Sequence, residues 1–321
     1  MPVCITCTEF MPYLYTIYSS EDNLRLEICP RCRSFADVYV EHDMLIVVLD
    51  LVLLKAGAYR HLLFNRGSAP RRVGDSGKDD RSKPLPAYRQ AVGPWRWKKT
   101  LELALPMIGV DSCRPLKHLC GPNKLHTSSS CTSEGALSLL RVVAGCIMET
   151  IAFHIGVTTA CAAVLALAGF WQRTFRKQRI SSETPISGVR QEFRLSHVPL
   201  TLIYSSATKL FLLAMLSIWH ADKISAQPPT STEDSWYATS WIALDDGTLD
   251  REWLVRNVLG GMAAGFGLRI ALDTHPALTM MVILIGWSVK TAVAAVVGSW
   301  VAGGIDPSRQ RAEMWLAYSI P

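Results

Sequence analysis

Four cysteines near the start of the chain have the spacing of a metal site. Cys4-Ile-Thr-Cys7 and Cys29-Pro-Arg-Cys32 form two CxxC pairs with 21 residues between them. A two-residue gap lets one tight turn present two thiolates to the same ion, and four sulfurs complete the tetrahedral shell that zinc prefers. Four protein ligands leave no open position for a substrate, so the expected role of one zinc ion here is structural. Disulfides and unliganded thiols are the alternatives for the same residues. Cys113, Cys120, Cys131, Cys146 and Cys161 show no ligand spacing and read as ordinary thiols.

A second set of chemically active residues lies inside long apolar runs. Lys209 and Lys290 fall near the middle of two of them, Arg269 lies near the end of another, and Glu149 is the only acid within them. A charge at bilayer centre costs about 2.5–3.5 kcal/mol on insertion scales, so such groups face protein or a wet cavity. Glu149, Lys209 and Lys290 are therefore expected at a polar cavity that admits a lipid headgroup or a sterol hydroxyl, with Glu149 the natural partner of either lysine. The alternative is that the lysines snorkel to an interface. No catalytic constellation accompanies them: there is no GxSxG elbow, P-loop or HExxH pair, and His42, His61, His154, His220 and His275 lack partners at meaningful spacing. The chain does not read as an enzyme.

These residues need two kinds of scaffold. Between the cysteine pairs, Tyr13–Tyr18 and Leu24–Ile28 alternate like strands around the turn residues 19–23, which predicts a small β zinc ribbon over residues 1–43. Residues 44–65 are long enough for a helix, but the uninterrupted apolar part is short and holds Asp50. An interfacial or half-inserted helix is expected there, with a full span or a soluble helix packed on the ribbon as alternatives.

Residues 136–321 predict a transmembrane helical domain with spans near 136–171, 198–219, 254–272 and 277–300. The first is either one long helix or two short passes. Trp171, Trp219, Trp253 and Trp300 sit at the span ends, like an aromatic belt. Gly261-Met-Ala-Ala-Gly265 permits close helix contact, expected within the chain, and Leu202 to Lys209 fits a loose cholesterol pattern that adds little.

Composition and charge set the orientation. The chain has 321 residues, 49% of them hydrophobic, with a formal charge of +6, too small to imply nucleic acid. The first 20 residues lack the pattern of a cleavable signal peptide. Residues 172–197 carry a net charge of +4 and residues 220–253 a net charge of −5. Basic residues stay in the cytosol, so the first loop is expected there and the second in the lumen. Residues 66–135 hold thirteen basic and six acidic residues and read as a flexible cytosolic linker, with Pro94–Lys99 suited to an anionic membrane surface. The same sign on both flanks of 136–171 favours two passes there. The N-terminus is then cytosolic and the C-terminus lumenal.

Residues Phe35–Asp43, Asp50–Lys55 and Ala58–Asn65, together with the two CxxC pairs, resemble the Arv family over residues 1–65, that family's N-terminal homology region. Thr8 departs from it where glycine is expected after the first knuckle, and Val38 where lysine is usual. The resemblance implies an endoplasmic reticulum protein, with the Golgi as a second location, that mediates sterol transport and distribution and affects sphingolipid metabolism. Sterols and other membrane lipids would be its partners. Two rival readings are a membrane-anchored zinc-ribbon adaptor for lipid-synthesis enzymes and a membrane-embedded lipid-modifying enzyme.

Overall fold

The computed structural model describes residues 2–18, 23–72, 97–109, 134–175, 187–220 and 254–301. Most of the 66–135 linker, the 220–253 loop, Trp253, the side chains of Trp171, Trp219 and Trp300, and Cys113, Cys120 and Cys131 lie outside them.

The β part is small. Strand β1 (Tyr15–Ile17) pairs antiparallel with β2 (Leu24–Leu26), with Thr16 opposite Arg25. A two-residue strand, β3 (Arg71–Arg72), joins the other edge of β1 in parallel. The alternation that predicts the hairpin is visible in β1, where Thr16 is buried between two partly exposed neighbours. β3 falls in the segment read as linker. Two basic residues carry no strand pattern, and only the pairing with β1 makes them one.

Residues 44–65 form two elements. Helix α1 (Met44–Val52) ends at Leu53, and Leu54 has a φ of 57°, a left-handed conformation that no continuous helix admits. After this break come α2 (Ala56–Arg60) and a π turn at His61–Asn65. The break is held by Asp50, whose carboxylate pairs with Lys55 at 2.7 Å and accepts the Tyr39 hydroxyl at 2.9 Å. The lysine draws the Asp50 carboxyl below its usual range, and the tyrosine bond adds to this. The interruption that Asp50 makes in the apolar run is thus the point where the chain turns back.

A short helix, α3, covers residues 97–109, with Trp97, Leu101 and Leu105 exposed along one side. Helix α4 (Glu134–Phe175) is continuous over 42 residues, roughly 63 Å, about twice the thickness of a bilayer's hydrocarbon core. The charge balance of its flanks favours two passes, yet nothing between them breaks a helix. The run has no proline, and Gly156 fits closely against Gly286 and Val289. Helix α5 (Gly188–Glu192) leads into α6 (His197–His220).

The predicted 254–272 span is divided into a π turn at Leu254–Leu259 and helix α7 (Gly260–Leu272), nearly all of it buried. Asp273, with a φ of 48°, turns the chain into α8 (Pro276–Val301). α7 runs through the centre of the bundle. A Cβ on Gly267 would sit 2.9 Å from Thr201 of α6 and 3.2 Å from Tyr59 of α2, while Gly265 meets Met280 of α8. The Gly261–Gly265 motif therefore lies on a helix packed inside the chain. α4 and α8 pack antiparallel, Phe153 and Val157 against Gly286, where any side chain would overlap Val157.

Among the described residues, three helices are long and apolar enough to cross a membrane: Val143–Leu167, His197–Leu216 and Pro276–Gly298. The first and third are only 28% buried, against 61% for the second. Leu140, Ile147, Ile151 and Ile155 of α4 and Met281, Leu284, Ile285 and Val296 of α8 point outward, an apolar surface larger than water-soluble proteins expose.

Candidate metal centre and buried charges

The two CxxC pairs fold into matching knuckles. In the first, Cys4 N–H donates to Glu9 O and Thr8 N–H to Cys4 O; in the second, Cys29 N–H donates to Ser34 O and Arg33 N–H to Cys29 O. Each closes with a left-handed residue, Thr8 at φ 63° and Arg33 at φ 57°, and each is flanked by a β-bridge, Val3 with Phe10 and Ile28 with Phe35. Glycine takes this conformation without strain, which explains its expectation at position 8. Threonine adopts the same turn.

The knuckles bring all four thiol sulfurs within 4.8 Å of one another. Cys4 and Cys32 are 3.7 Å apart, and Cys7 and Cys29 3.5 Å. The edge of a tetrahedron of sulfurs around zinc is about 3.8 Å, from Zn–S bonds of about 2.3 Å. The donor set therefore fits a four-coordinate, thiolate-bound divalent ion. The four cysteines are free thiols, far outside disulfide bonding distance. Burial raises the Cys4 and Cys7 thiols, the latter to about 12, whereas the backbone of Ser34 draws Cys32 down to about 6.

What holds the first knuckle in place comes from far along the chain. Asn65 grips Val3 twice: its side-chain oxygen accepts the Val3 N–H and its amide donates to Val3 O, both at 2.8 Å. The same amide donates to the fully buried Asp37 at 2.7 Å, and His61 Nδ1 lies 2.8 Å from that carboxylate. Arg60 Nη1 donates to Ile5 O at 2.6 Å and Thr6 O at 3.1 Å. From α5, Gly188 N–H donates to Thr8 O at 3.0 Å, and Ser187 Oγ donates to Thr8 Oγ1 at 2.9 Å. A Cβ at Gly188 would lie 2.6 Å from Thr8 O, so only glycine fits this contact. Val3, Ile5, Tyr39, Tyr59, Leu62, Val189, Leu200, Tyr204 and Ile270 share one apolar core. The cysteine module is thereby part of the helical bundle.

His61, expected to lack a partner, has one in Asp37, 24 positions away; Asp37, Arg60 and Asn65 went unassigned by sequence reasoning, although all lie in the segments that carry the Arv resemblance. Gly188 gave no signal at all.

Among the buried charges, Lys209 is 1% and Lys290 4% exposed. Lys290 Nζ lies 3.9 Å from Glu149 Oε2, joining α8 to α4. Lys209, on α6, and Lys290 both lie close enough to His154 for their charges to bear on it, and His154 Nδ1 bonds the Thr150 carbonyl in its own helix. Arg269 is on the exposed side of α7. The structure thus brings Glu149, Lys290, Lys209 and His154 into one neighbourhood, well away from the cysteines.

A mostly helical chain with three candidate membrane helices and an N-terminal cysteine cluster defines a broad class. Comparison with known proteins narrows it. The model of the Arv1-like family matches residues 3–234, and the chain belongs to that family. Protein ARV1 of Saccharomyces cerevisiae is 52% identical over 63 residues, 20% of this chain and 19% of that protein. The protein arv1 homolog of Dictyostelium discoideum is 48% identical over 66 residues, 20% and 27% of the two chains. Protein ARV1 of Homo sapiens is 40% identical over 62 residues, 19% and 22%. Each match spans less than a third of the relative's length. No solved structure matches the chain.

Proposed function

We propose that this chain is a non-enzymatic, membrane-integral mediator of sterol transport and distribution in the endoplasmic reticulum, with a second location in the Golgi and an effect on sphingolipid metabolism. Family membership supports the lipid class. Within this chain, the observation that carries direct lipid handling is the burial of Lys209 and Lys290, the latter beside Glu149, in helices that otherwise show apolar surface to the outside. The membrane holds α4, α6 and α8 as spans, with α7 packed among them.

The cysteine module, the start of α6 and the α7–α8 turn lie at one end of the bundle. Gly188 and His197, from the described part of the basic 172–197 segment, lie there too, which supports a cytosolic N-terminus and a lumenal end for α8. With α4 a single span, its first residues then lie on the lumenal side, against the expectation that all of 66–135 is cytosolic. α1 is half-inserted. Its last carbonyl, Val52 O, accepts the Thr208 hydroxyl, about 17 Å along α6 from His197, and Met44, Leu45, Val48 and Leu49 are exposed. Cys4, Cys7, Cys29 and Cys32 hold one zinc ion, which ties the knuckles together without taking part in chemistry.

The test is sterol transfer between vesicles by purified, reconstituted full-length protein. Acceleration over protein-free vesicles that falls several-fold in Lys209→Leu supports the reading, and no acceleration by folded protein overturns it.

An adaptor role is the second reading. It is favoured by Ile28 and Phe35, which are 55% and 52% exposed and bridge each other beside the second knuckle. A Phe35→Ser variant that abolishes function in cells while leaving vesicle transfer intact would select it.

A further inference from the structure

Strand β2 lies at an edge of the three-stranded sheet, and the bonds on its inner side fix which of its groups face outward. Asn23 O accepts the Tyr18 N–H and Glu27 N–H donates to Leu14 O, so residues 23, 25 and 27 turn their backbone toward β1. Backbone groups alternate along a strand, so Leu24, Leu26 and Ile28 turn theirs away. Ala36 N–H donates to Glu27 O and Cys29 N–H to Ser34 O, which carries the same alternation past the strand's end. The result is an open edge about 13 Å long. Its three N–H and three C=O groups are bonded by no described residue.

Comparable edges elsewhere in the module are closed. β3 covers the far side of β1. Val3, which holds the place in the first knuckle that Ile28 holds in the second, has both its groups taken by the Asn65 amide. An open edge is a template for another strand. The side chains say which strand this one fits. Leu24, Leu26 and Ile28 line one face, continued by Phe35, the bridge partner of Ile28; Ile28 and Phe35 are exposed. Arg25 and Glu27 share the other face, Arg25 exposed and Glu27 holding the Thr16 hydroxyl with one of its two carboxylate oxygens.

The order apolar, positive, apolar, negative, apolar is complementary to its own reverse. Antiparallel pairing of two such edges, centred on Leu26, sets Leu24 opposite the partner's Ile28 and Arg25 opposite the partner's Glu27. Every outward N–H and C=O of both copies then has a partner. The two charge pairs fall at non-hydrogen-bonded positions, where Cα atoms are about 4.5 Å apart and opposite charges attract.

We propose that β2 is a self-association edge, through which two copies of this chain join by antiparallel pairing of residues Leu24–Ile28 about a two-fold axis at Leu26. Such a contact closes on itself, as an isologous interface does. A strand of uniform charge would match only one of Arg25 and Glu27, whereas a second copy matches both. The proposal is independent of the lipid reading, and it gives to a second copy the surface that the adaptor reading gives to another protein.

The experiment uses full-length protein, reconstituted into vesicles at known density from two preparations carrying donor and acceptor fluorophores. Wild type should show energy transfer well above that of randomly placed chains. Arg25→Glu and Glu27→Arg, each reconstituted alone, should lower this excess several-fold, because each sets like charges opposite one another. Reconstituted together, the two variants should recover it, since each supplies the charge that the other lacks. Loss of folding does not produce that recovery. Leu26→Pro, which removes an outward N–H and no bond within the sheet, should abolish the excess while keeping the unfolding midpoint near that of wild type.

Random-level transfer in folded wild type overturns the proposal. So does transfer that survives all three variants, or a loss in the two charge variants that mixing does not recover. Random-level transfer together with lost cellular function in Phe35→Ser would give the edge to another protein instead. Sterol transfer measured on the same vesicles reports on the lipid reading separately.

Discussion

The two cysteine knuckles have the same backbone hydrogen bonds, the same left-handed closing residue and the same flanking bridge, yet they have different surroundings. The first is built into the molecule, gripped by Asn65, Arg60 and Gly188 and continuous with the core shared by α2, α5, α6 and α7. The second stands outward, with Ile28, Pro30, Arg31 and Phe35 exposed. The first knuckle is where the module joins the bundle, and the second faces outward.

This difference predicts a graded series of effects. The largest come from the ligands. Both Cys4→Ser and Cys32→Ser should reduce retained zinc from about one to near zero per chain after dialysis against chelator, because structural zinc contributes on the order of 10 kcal/mol. Limited proteolysis should separate them. Cys4→Ser should speed cleavage within the shared core, and Cys32→Ser only within the hairpin. Equal cleavage patterns would break the comparison. Asn65→Ala, which strands the Val3 N–H and C=O, should lower stability by about 3 kcal/mol in thermal unfolding.

Gly188→Ala should lower it by about 2 kcal/mol, since the methyl group meets a backbone oxygen. Ser34→Ala on the outer knuckle should change it by less than about 0.5 kcal/mol. Arg33→Gly should stabilise by about 1 kcal/mol by relieving a left-handed side chain. Thr8→Gly should give less, because it loses the Ser187 hydrogen bond as it relieves the same strain. A larger gain at Thr8 would mean that the inner knuckle is the looser one. The smallest effect belongs to Arg31→Ala, which should leave the unfolding midpoint nearly unchanged in physiological salt and unchanged in 1 M salt, as for other exposed ion pairs.

What was legible in the sequence is what is local. CxxC spacing fixes its own turn, so the cysteine cluster and the hairpin between its halves could be read directly. Glu149, the one acid in the apolar runs, could be offered to either lysine, and only the packing of α4 on α8 sets it beside Lys290. The fit of Asn65 to Val3 could not be read, since the two are 62 positions apart and neither residue type announces the other. Asp50 was read as limiting how deeply one helix inserts, not as a break; it takes its bonds to Tyr39 and Lys55 to hold the turn at Leu54 that makes two helices. The continuity of α4 was obscured by charge counting, which reports loop preference and says nothing of whether a helix is broken. α7 reads as another span because its residues are apolar. That it is also packed inside the bundle comes from the contacts around Gly265 and Gly267, which its sequence does not announce.

The contact between Thr8 and Ser187 joins residues 179 positions apart. On the ribosome, both knuckles have emerged once residue 34 is out, but the glycine that receives the first of them comes about 150 residues later. At about 5–20 residues per second, that is a delay of roughly 10–30 s. During this time the inner face of the module has nothing to rest on, and early metal capture would keep it folded until α5 is made.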